Sequence, residues 1–545
     1  MDFWSSALLY LFGTGISSPA VIDITVMDLW SSLPAIFGSF LGLVLIAYYI
    51  WRRRHEGKLL APEVSGALPI IGHLHLLGAQ PTLARTLAAM ADKYGPVFTI
   101  RFGLFPTLVV SNHEAVKECL TTNDRVLATR PPSYAGKYMA YDHAGFGFAP
   151  YGPFWREIRK FTMVELLSTH KLAKLMHVRV SEVNALMLNL YTFSKKPNQK
   201  ISMGEKLGVF TLNMILRLVA GKRYFSDAEG VEDEEARRVM KIYKQFSYLM
   251  GVNAISEVVP FLKWMDKWSW QVKAMKCAAK EMNHLVESWV DEHIAKRLVI
   301  GSYQHQDFID VMLSAMDDEM VFGHTRDKVI KATATTLIAA GSDSTSVSMT
   351  WILANLMNNK HALNRAQQEL DREIGRDRWV QESDIHKLVY LKAIIKETFR
   401  LYPASPLLVP HEAMEDCSVS GYHIPKGTRL LVNMWKLHRD PRVWSNPEEF
   451  QPERFLTTHE KVEISGQCFE LIPFGSGRRS CPGMTLALQV IHLTIASLLQ
   501  GFELTTPLNA PVDMSEGTGA VMPKTTPLEL VLTPRLPPHL YQLQM

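Results

Sequence analysis

The chain has 545 residues, 47% hydrophobic and 21% charged, which is ordinary globular composition with length enough for one large catalytic body or two smaller ones. The formal net charge of +4 is spread along the sequence, and no basic block is interleaved with aromatics, which argues against nucleic acid as a partner. Cys119, Cys277, Cys417, Cys468 and Cys481 are an odd, widely spaced set without CxxC pairs, so neither a disulfide framework nor a zinc site is indicated, and a reducing compartment fits.

Residues 1–32 read as an N-terminal extension. Its first six residues, MDFWSS, are echoed by MDLWSS at 27–32, which marks Met27 as an alternative start, and residues 8–22 form a second, shorter apolar stretch. Residues 33–51 carry no charge and, as a helix, reach roughly 28 Å, near the hydrocarbon thickness of a bilayer. Arg52, Arg53, Arg54 and Lys58 follow at once, against Asp2, Asp23 and Asp28 before the run, so the basic flank should stay cytosolic. A cleaved signal peptide fits less well, because the basic side comes after the apolar run and no small-residue cleavage site follows. Residues 52–75, with Pro62, Gly66, Pro69 and Gly72, read as a basic, proline-rich hinge. From 76 to 545 helical periodicity dominates, interrupted by short β-type runs at 97–102 and 107–110. The expected body is mostly α with small β-sheets.

Four segments of that body carry candidate chemistry. Trp155 and Arg159 stand four residues apart, on one helix face, and suit a bound carboxylate. Residues 328–355 form an apolar helix pattern broken by Gly341, Ser342, Asp343, Ser344 and Thr345. Small residues there open a groove, and a hydroxyl beside a carboxylate can relay protons; a kink whose hydroxyls bond back to the previous turn fits the same letters. Glu397 and Arg400 share a face of the helical segment 385–401, where a surface pair is the plain reading. Finally, residues 474–483 (FGSGRRSCPG) form a glycine-rich loop with one cysteine before an apolar helical run. Glycines allow tight turning and close approach to a bulky ligand, while amides at a helix N-terminus favour a thiolate. Cys481 is therefore a candidate iron ligand, and a thiolate on haem iron is the arrangement that favours O–O cleavage.

This loop fits Phe-x-x-Gly-x-Arg-x-Cys-x-Gly and resembles the haem-binding loop of the cytochrome P-450 monooxygenases. The resemblance implies a cytochrome P-450 fold, a single haem domain at 76–545 behind a transmembrane anchor. It implies haem b held through Cys481, with Phe474, Gly477 and Gly483 shaping the loop and Trp155, Arg159 and Arg479 at the propionates. His411 is a weaker candidate there. Residues 450–455 resemble the family's Pro-Glu-Arg-Phe element, whose arginine joins a Glu-x-x-Arg pair, so Glu397, Arg400 and Arg454 are expected as buried scaffold rather than reactants. Asp343, Ser344 and Thr345 match the acid-and-alcohol element as catalytic residues, with Ser344 where the family usually has threonine. Serine lacks the methyl that restricts its rotamer, so proton delivery should be looser.

No Gly-x-Gly-x-x-Gly fingerprint is present, and the resemblance implies that electrons come from NADPH through a separate NADPH-cytochrome P-450 reductase. Lys160 and Arg478 are candidate contacts for it. Molecular oxygen, a small hydrophobic substrate and a single-pass location in the endoplasmic reticulum membrane complete the expectation. Residues 148–155 and 469–473 look like the plant A-type branch, and 513–517 with 522–528 resemble one plant family in it, whose members oxidise flavones, terpenoids or benzylisoquinoline alkaloids, some cleaving terpenoid alcohols to homoterpenes. Pocket positions by the same resemblance are 134–148, Leu337, Ile338, Ala340, 407–409 and 520–522. Asp142 and Glu516 read as solvated surface carboxylates, which leaves a neutral phenolic or terpenoid substrate ahead of an alkaloid cation. Ser344 keeps open a reductase-independent isomerase or dehydratase. A haem carrier would not need Asp343 and Ser344, and a serine hydrolase is excluded because Gly475-Ser476-Gly477 is no Gly-x-Ser-x-Gly elbow.

Overall fold

Gly103, at φ +61°, turns the chain between β1 (Val97–Phe102) and β2 (Phe105–Val110), and the two strands close as an antiparallel hairpin with Phe102 opposite Phe105. β3 (His411–Glu412) and β4 (Arg429–Val432) complete a four-stranded sheet in the order β1-β2-β4-β3, in which β2 and β4 run parallel. A three-stranded sheet pairs Ile201–Ser202 and Phe502–Thr505 with Glu529–Pro534, and a hairpin joins Cys417–Val419 to Tyr422–Ile424. The computed structural model describes residues 58–196, 198–225, 234–300, 307–316 and 322–542, with Gly38 and Gly42. The expected extension, nearly all of the expected span and the first part of the expected hinge lie outside the described residues. Residues 60–545 form one compact unit.

Helices make the bulk of that unit, as expected. In chain order, the ones that matter for the site are α1 (Leu83–Tyr94), α2 (Pro153–Phe161), α3 (Met176–Ser194), α4 (Met203–Ala220), α5 (Glu234–Met250), α6 (Trp270–Ile300), α7 (Phe308–Ala315), α8 (Arg326–Asn358), α9 (Val389–Leu401) and α10 (Met484–Gly501). Helix α8 starts where Thr325 accepts the amide of Lys328 and Asp327 sits in the first turn. It is buried on nearly every side over its 33 residues, which is why its apolar residues follow no single stripe. α4 packs along it, and α6, α9 and α10 close around it. α10 is long and apolar enough to cross a membrane, but it is mostly buried inside this unit as a core helix.

Candidate active site

The cysteine loop takes its shape from two left-handed glycines, Gly475 (φ +69°) and Gly477 (φ +65°). A Cβ on Gly477 would stand 2.6 Å from Asp124 Oδ1 and 2.7 Å from the Leu120 carbonyl, so no side chain fits there. The Arg478 amide donates to the Asp124 carboxylate at 3.1 Å, and the Cys481 amide donates to the Phe474 carbonyl at 2.8 Å. α10 begins at Met484, which sets the Cys481 thiol at a helix N-terminus. Burial pushes that thiol's pKa up, against the amides of Gly483 and Met484 and the charge of Arg159, which pull it down. The expected stabilisation of the thiolate is thus present but outweighed by desolvation. The sulfur is still accessible, because it opens into an internal cavity rather than into packed core.

That cavity has a volume of about 410 Å³ and is mostly apolar. Its walls are the cysteine loop, Leu486 to Ile491 of α10, and the stretch of α8 from Thr336 to Ser348. Thr211, Met214, Ile215 and Leu218 of α4, with Phe146, Leu408, Val409, Ala520 and Val521, also line it. Of the expected pocket positions, Leu337 and Ala340 line it, and so do members of 134–148, 407–409 and 520–522. Ile338 and Met522 turn into the core instead. Gly341 is small because a Cβ there would meet Ile215 Cδ1 at 3.1 Å. Ser344 and Thr345 face the cavity, with hydroxyls donating back to the Ala340 and Gly341 carbonyls at 2.8 Å each. Asp343 does not join them. It lies off the cavity wall, toward the buried phenol of Tyr243, whose pKa is raised by burial and then by this carboxylate. One helical residue is about 100° of rotation, so a sequence neighbour of Ser344 need not share its face.

Three guanidinium groups line one part of the wall: Arg130, Arg159 and Arg479. Arg130 donates to the Val409 and Pro410 carbonyls at 2.7 and 2.8 Å, while its buried Nε has no partner. Burial, then Arg159, holds its pKa down to about 9. Arg479 donates to the carbonyls of Ala128, Phe146 and Ala149, and burial followed by Arg130 and Arg159 lowers it to about 8. Arg159 donates to the Ser480 carbonyl at 2.6 Å. No aspartate or glutamate is among the described residues of the wall. His411 also lines it, with Nδ1 bonded to the Leu127 carbonyl at 2.7 Å, and burial with Arg130 pushes it well below the usual histidine range. Trp155, expected beside a propionate, donates its Nε1–H to the Phe146 carbonyl at 3.1 Å, and its ring lies 4.3 Å from the Arg479 guanidinium. Sequence reading missed Arg130, whose only local signal is the Pro131-Pro132 pair that follows.

The scaffold residues do meet. Arg400 donates to both oxygens of Glu397 at 2.7 and 2.8 Å, Arg454 adds a third bond at 3.1 Å and the Gln451 amide a fourth at 2.9 Å, with all three charged side chains buried. The remaining guanidinium donors reach carbonyls of residues 438–449, so the network is satisfied and ties α9 to the segment leading into the cysteine loop. Lys160 is exposed, and Arg478 is half-exposed beside Asp124. Asp142 is exposed, as expected. Glu516 is not: it is buried, ion-paired to Arg85 at 2.7 Å and bonded to the Trp435 indole at 2.9 Å, because the loop that carries it folds back onto α1.

A largely apolar group that carries anions and a metal suits this donor set. Three cations without a carboxylate, one of them with an orphaned Nε, call for anions, and a metal at the sulfur would favour the thiolate against the desolvation that raises its pKa. Haem has that chemistry. The comparisons with known proteins agree. The family model described as Cytochrome P450 matches residues 62–531. The chain is 47% identical to strychnine-10-hydroxylase of Strychnos nux-vomica, covering 94% of this chain and 99% of that one. It is also 47% identical to xanthotoxin 5-hydroxylase CYP82C2 of Arabidopsis thaliana, with the same coverage. Among solved structures, a zebra fish cytochrome P450 with progesterone superposes with a TM-score of 0.70 at 28% identity, over 83% of this chain and 99% of that chain. The chain therefore belongs to the cytochrome P-450 family, in its plant A-type branch, and is a haem b monooxygenase that receives NADPH electrons through a reductase.

Proposed function

We propose that Cys481 is the thiolate ligand of the haem and that the enzyme oxygenates a neutral, apolar plant specialised metabolite, phenolic or terpenoid, in preference to an alkaloid cation. The observation that carries the choice is the wall itself: three guanidiniums, no described carboxylate and an otherwise apolar lining. A protonated amine would be buried there without a counter-charge, which is costly. Asp142 and Glu516, the acids considered for such a partner, stay off the wall.

When bound, haem supplies the oxygen-activating chemistry. Arg130, Arg159 and Arg479 would hold its propionates, with Trp155 packed on Arg479. The apolar wall excludes water and poses the substrate. Ser344 holds a proton on Oγ, donated at rest to the Ala340 carbonyl, and rotation about χ1 turns that proton toward the cavity. Thr345 is the neighbouring alcohol, and Asp343 acts at one remove. Lys160 and Arg478 belong to the reductase-facing surface. Residues 33–51 anchor the enzyme in the endoplasmic reticulum membrane with residues 76–545 in the cytosol.

Microsomes containing the enzyme and a plant reductase, supplied with NADPH and separate flavone, terpenoid and alkaloid pools, test this reading. Products one oxygen heavier are expected from a neutral pool and none from Cys481→Ala. Products from protonated amines alone would overturn the substrate class. Folded, thiolate-ligated haem with no product from any pool would point to a reductase-independent isomerase.

A further inference from the structure

Residues 515–525 form a loop with a paired neck. The Thr525 amide donates to the Ser515 carbonyl at 3.0 Å, Glu516 bridges Lys524, and the Gly517 amide donates to the Pro523 carbonyl at 2.7 Å. Its tip carries Ala520 and Val521 into the cavity wall. The far side of the tip is pinned: the Met522 amide donates to the Ala404 carbonyl at 2.8 Å, and the Met522 carbonyl accepts the Trp351 indole at 2.9 Å. Above it Gly251, just past the end of α5, comes so near that a Cβ would stand 2.8 Å from the Ala520 amide nitrogen.

The near side of the neck rests on Glu516. Arg85 of α1 grips it with two bonds, Nε to Oε2 at 2.7 Å and Nη2 to Oε1 at 3.2 Å, and the Trp435 indole adds a third at 2.9 Å. The Arg85 guanidinium lies 4.7 Å from the Trp435 ring, and Arg439 packs at 4.1 Å. The carboxylate is about 1% exposed, so its bonds are made in a desolvated setting where removing one partner is expensive. Surface acids do not acquire three converging donors from two residues distant in sequence.

We propose that Glu516, clamped by Arg85 and Trp435, is a positioning residue for substrate selection: it fixes the neck of the 515–525 loop and thereby the part of the wall made by Ala520 and Val521. With the clamp released, the near side of the neck loses its tie to α1, only the Met522 bonds on the far side still pin the tip, and the tip moves inward, narrowing the chamber without altering the cysteine loop. The inference rests on the reading of the cavity as the substrate chamber.

The test compares haem-loaded wild type, Glu516→Gln, Arg85→Gln and Arg85→Lys by hydrogen exchange and by spectral titration with 1-phenylimidazole and the bulkier clotrimazole. Arg85 is 40% exposed, so Arg85→Gln keeps the test open where Glu516→Gln does not fold. Both glutamine variants should exchange faster at residues 517–523 but not along α8, and should lose about tenfold in affinity for clotrimazole relative to 1-phenylimidazole, with Arg85→Lys recovering part of it. Unchanged exchange and unchanged azole selectivity would overturn the clamp. An equal loss for both azoles, with exchange raised throughout, would reduce Glu516 to general packing and overturn the role proposed. Failure of wild type to bind either azole would instead sink the chamber reading beneath it.

Discussion

Ser344 stands on the cavity wall, where the choice between serine and threonine is felt. Its hydroxyl has no methyl to restrict χ1 and already has a carbonyl partner one turn back. Ser344→Thr should therefore raise product formed per NADPH and lower hydrogen peroxide release, whereas Ser344→Ala should raise peroxide several-fold; oxygen-electrode and peroxide assays read both. Asp343, adjacent in sequence, was expected to share this role, and its side chain faces Tyr243 instead. Letters alone place an acid next to an alcohol, but only packing against α5 decides which way each points. Arg130 shows the reverse: nothing in its neighbourhood marks it, and its position follows from carbonyls 279 and 280 residues away. Cys481, Arg159 and Arg479, which spaced motifs single out, all stand on the wall of the same cavity.

At the scale of elements, the Glu397, Arg400 and Arg454 triad joins α9 to the segment before the cysteine loop, and its legibility came from two motifs taken together rather than from either pair. Glu397→Gln leaves two buried guanidiniums without their counter-charge and should cost about 3–5 kcal/mol, read as a lowered unfolding midpoint with loss of haem retention. A second tie had no signature in the sequence. His293 of α6 bonds Asp307, the residue capping α7, at 2.8 Å, with its other nitrogen on the Trp289 carbonyl. Burial opposes charging of His293, and the Asp307 carboxylate with the Trp289 carbonyl outweighs it, so the pKa is raised. A raised histidine contributes stability that is complete below the unfolded value of about 6.5 and is lost as pH rises through the folded value. The stability gap between wild type and His293→Gln should accordingly be about 1.5–3 kcal/mol near pH 6 and shrink in alkali, measured by thermal unfolding across pH.

For the molecule as a whole, the mostly helical body with small sheets was readable from periodicity, since long apolar helices and short alternating strands leave distinct patterns. Contacts between distant segments were not: Glu516 reads as a surface carboxylate until the 515–525 loop is seen folded against α1. Such partners depend on tertiary closure, which no local pattern encodes. The same closure brings Cys481, three arginines and Ser344 around one apolar chamber, and the account stands on that convergence. Its central claim is most directly tested by supplying ¹⁸O₂ to enzyme, reductase, NADPH and a neutral phenolic or terpenoid pool, and following the label by mass spectrometry. The account predicts one ¹⁸O atom in the product, absent with Cys481→Ala. Product that forms without reductase, or that carries no oxygen from O₂, would contradict it.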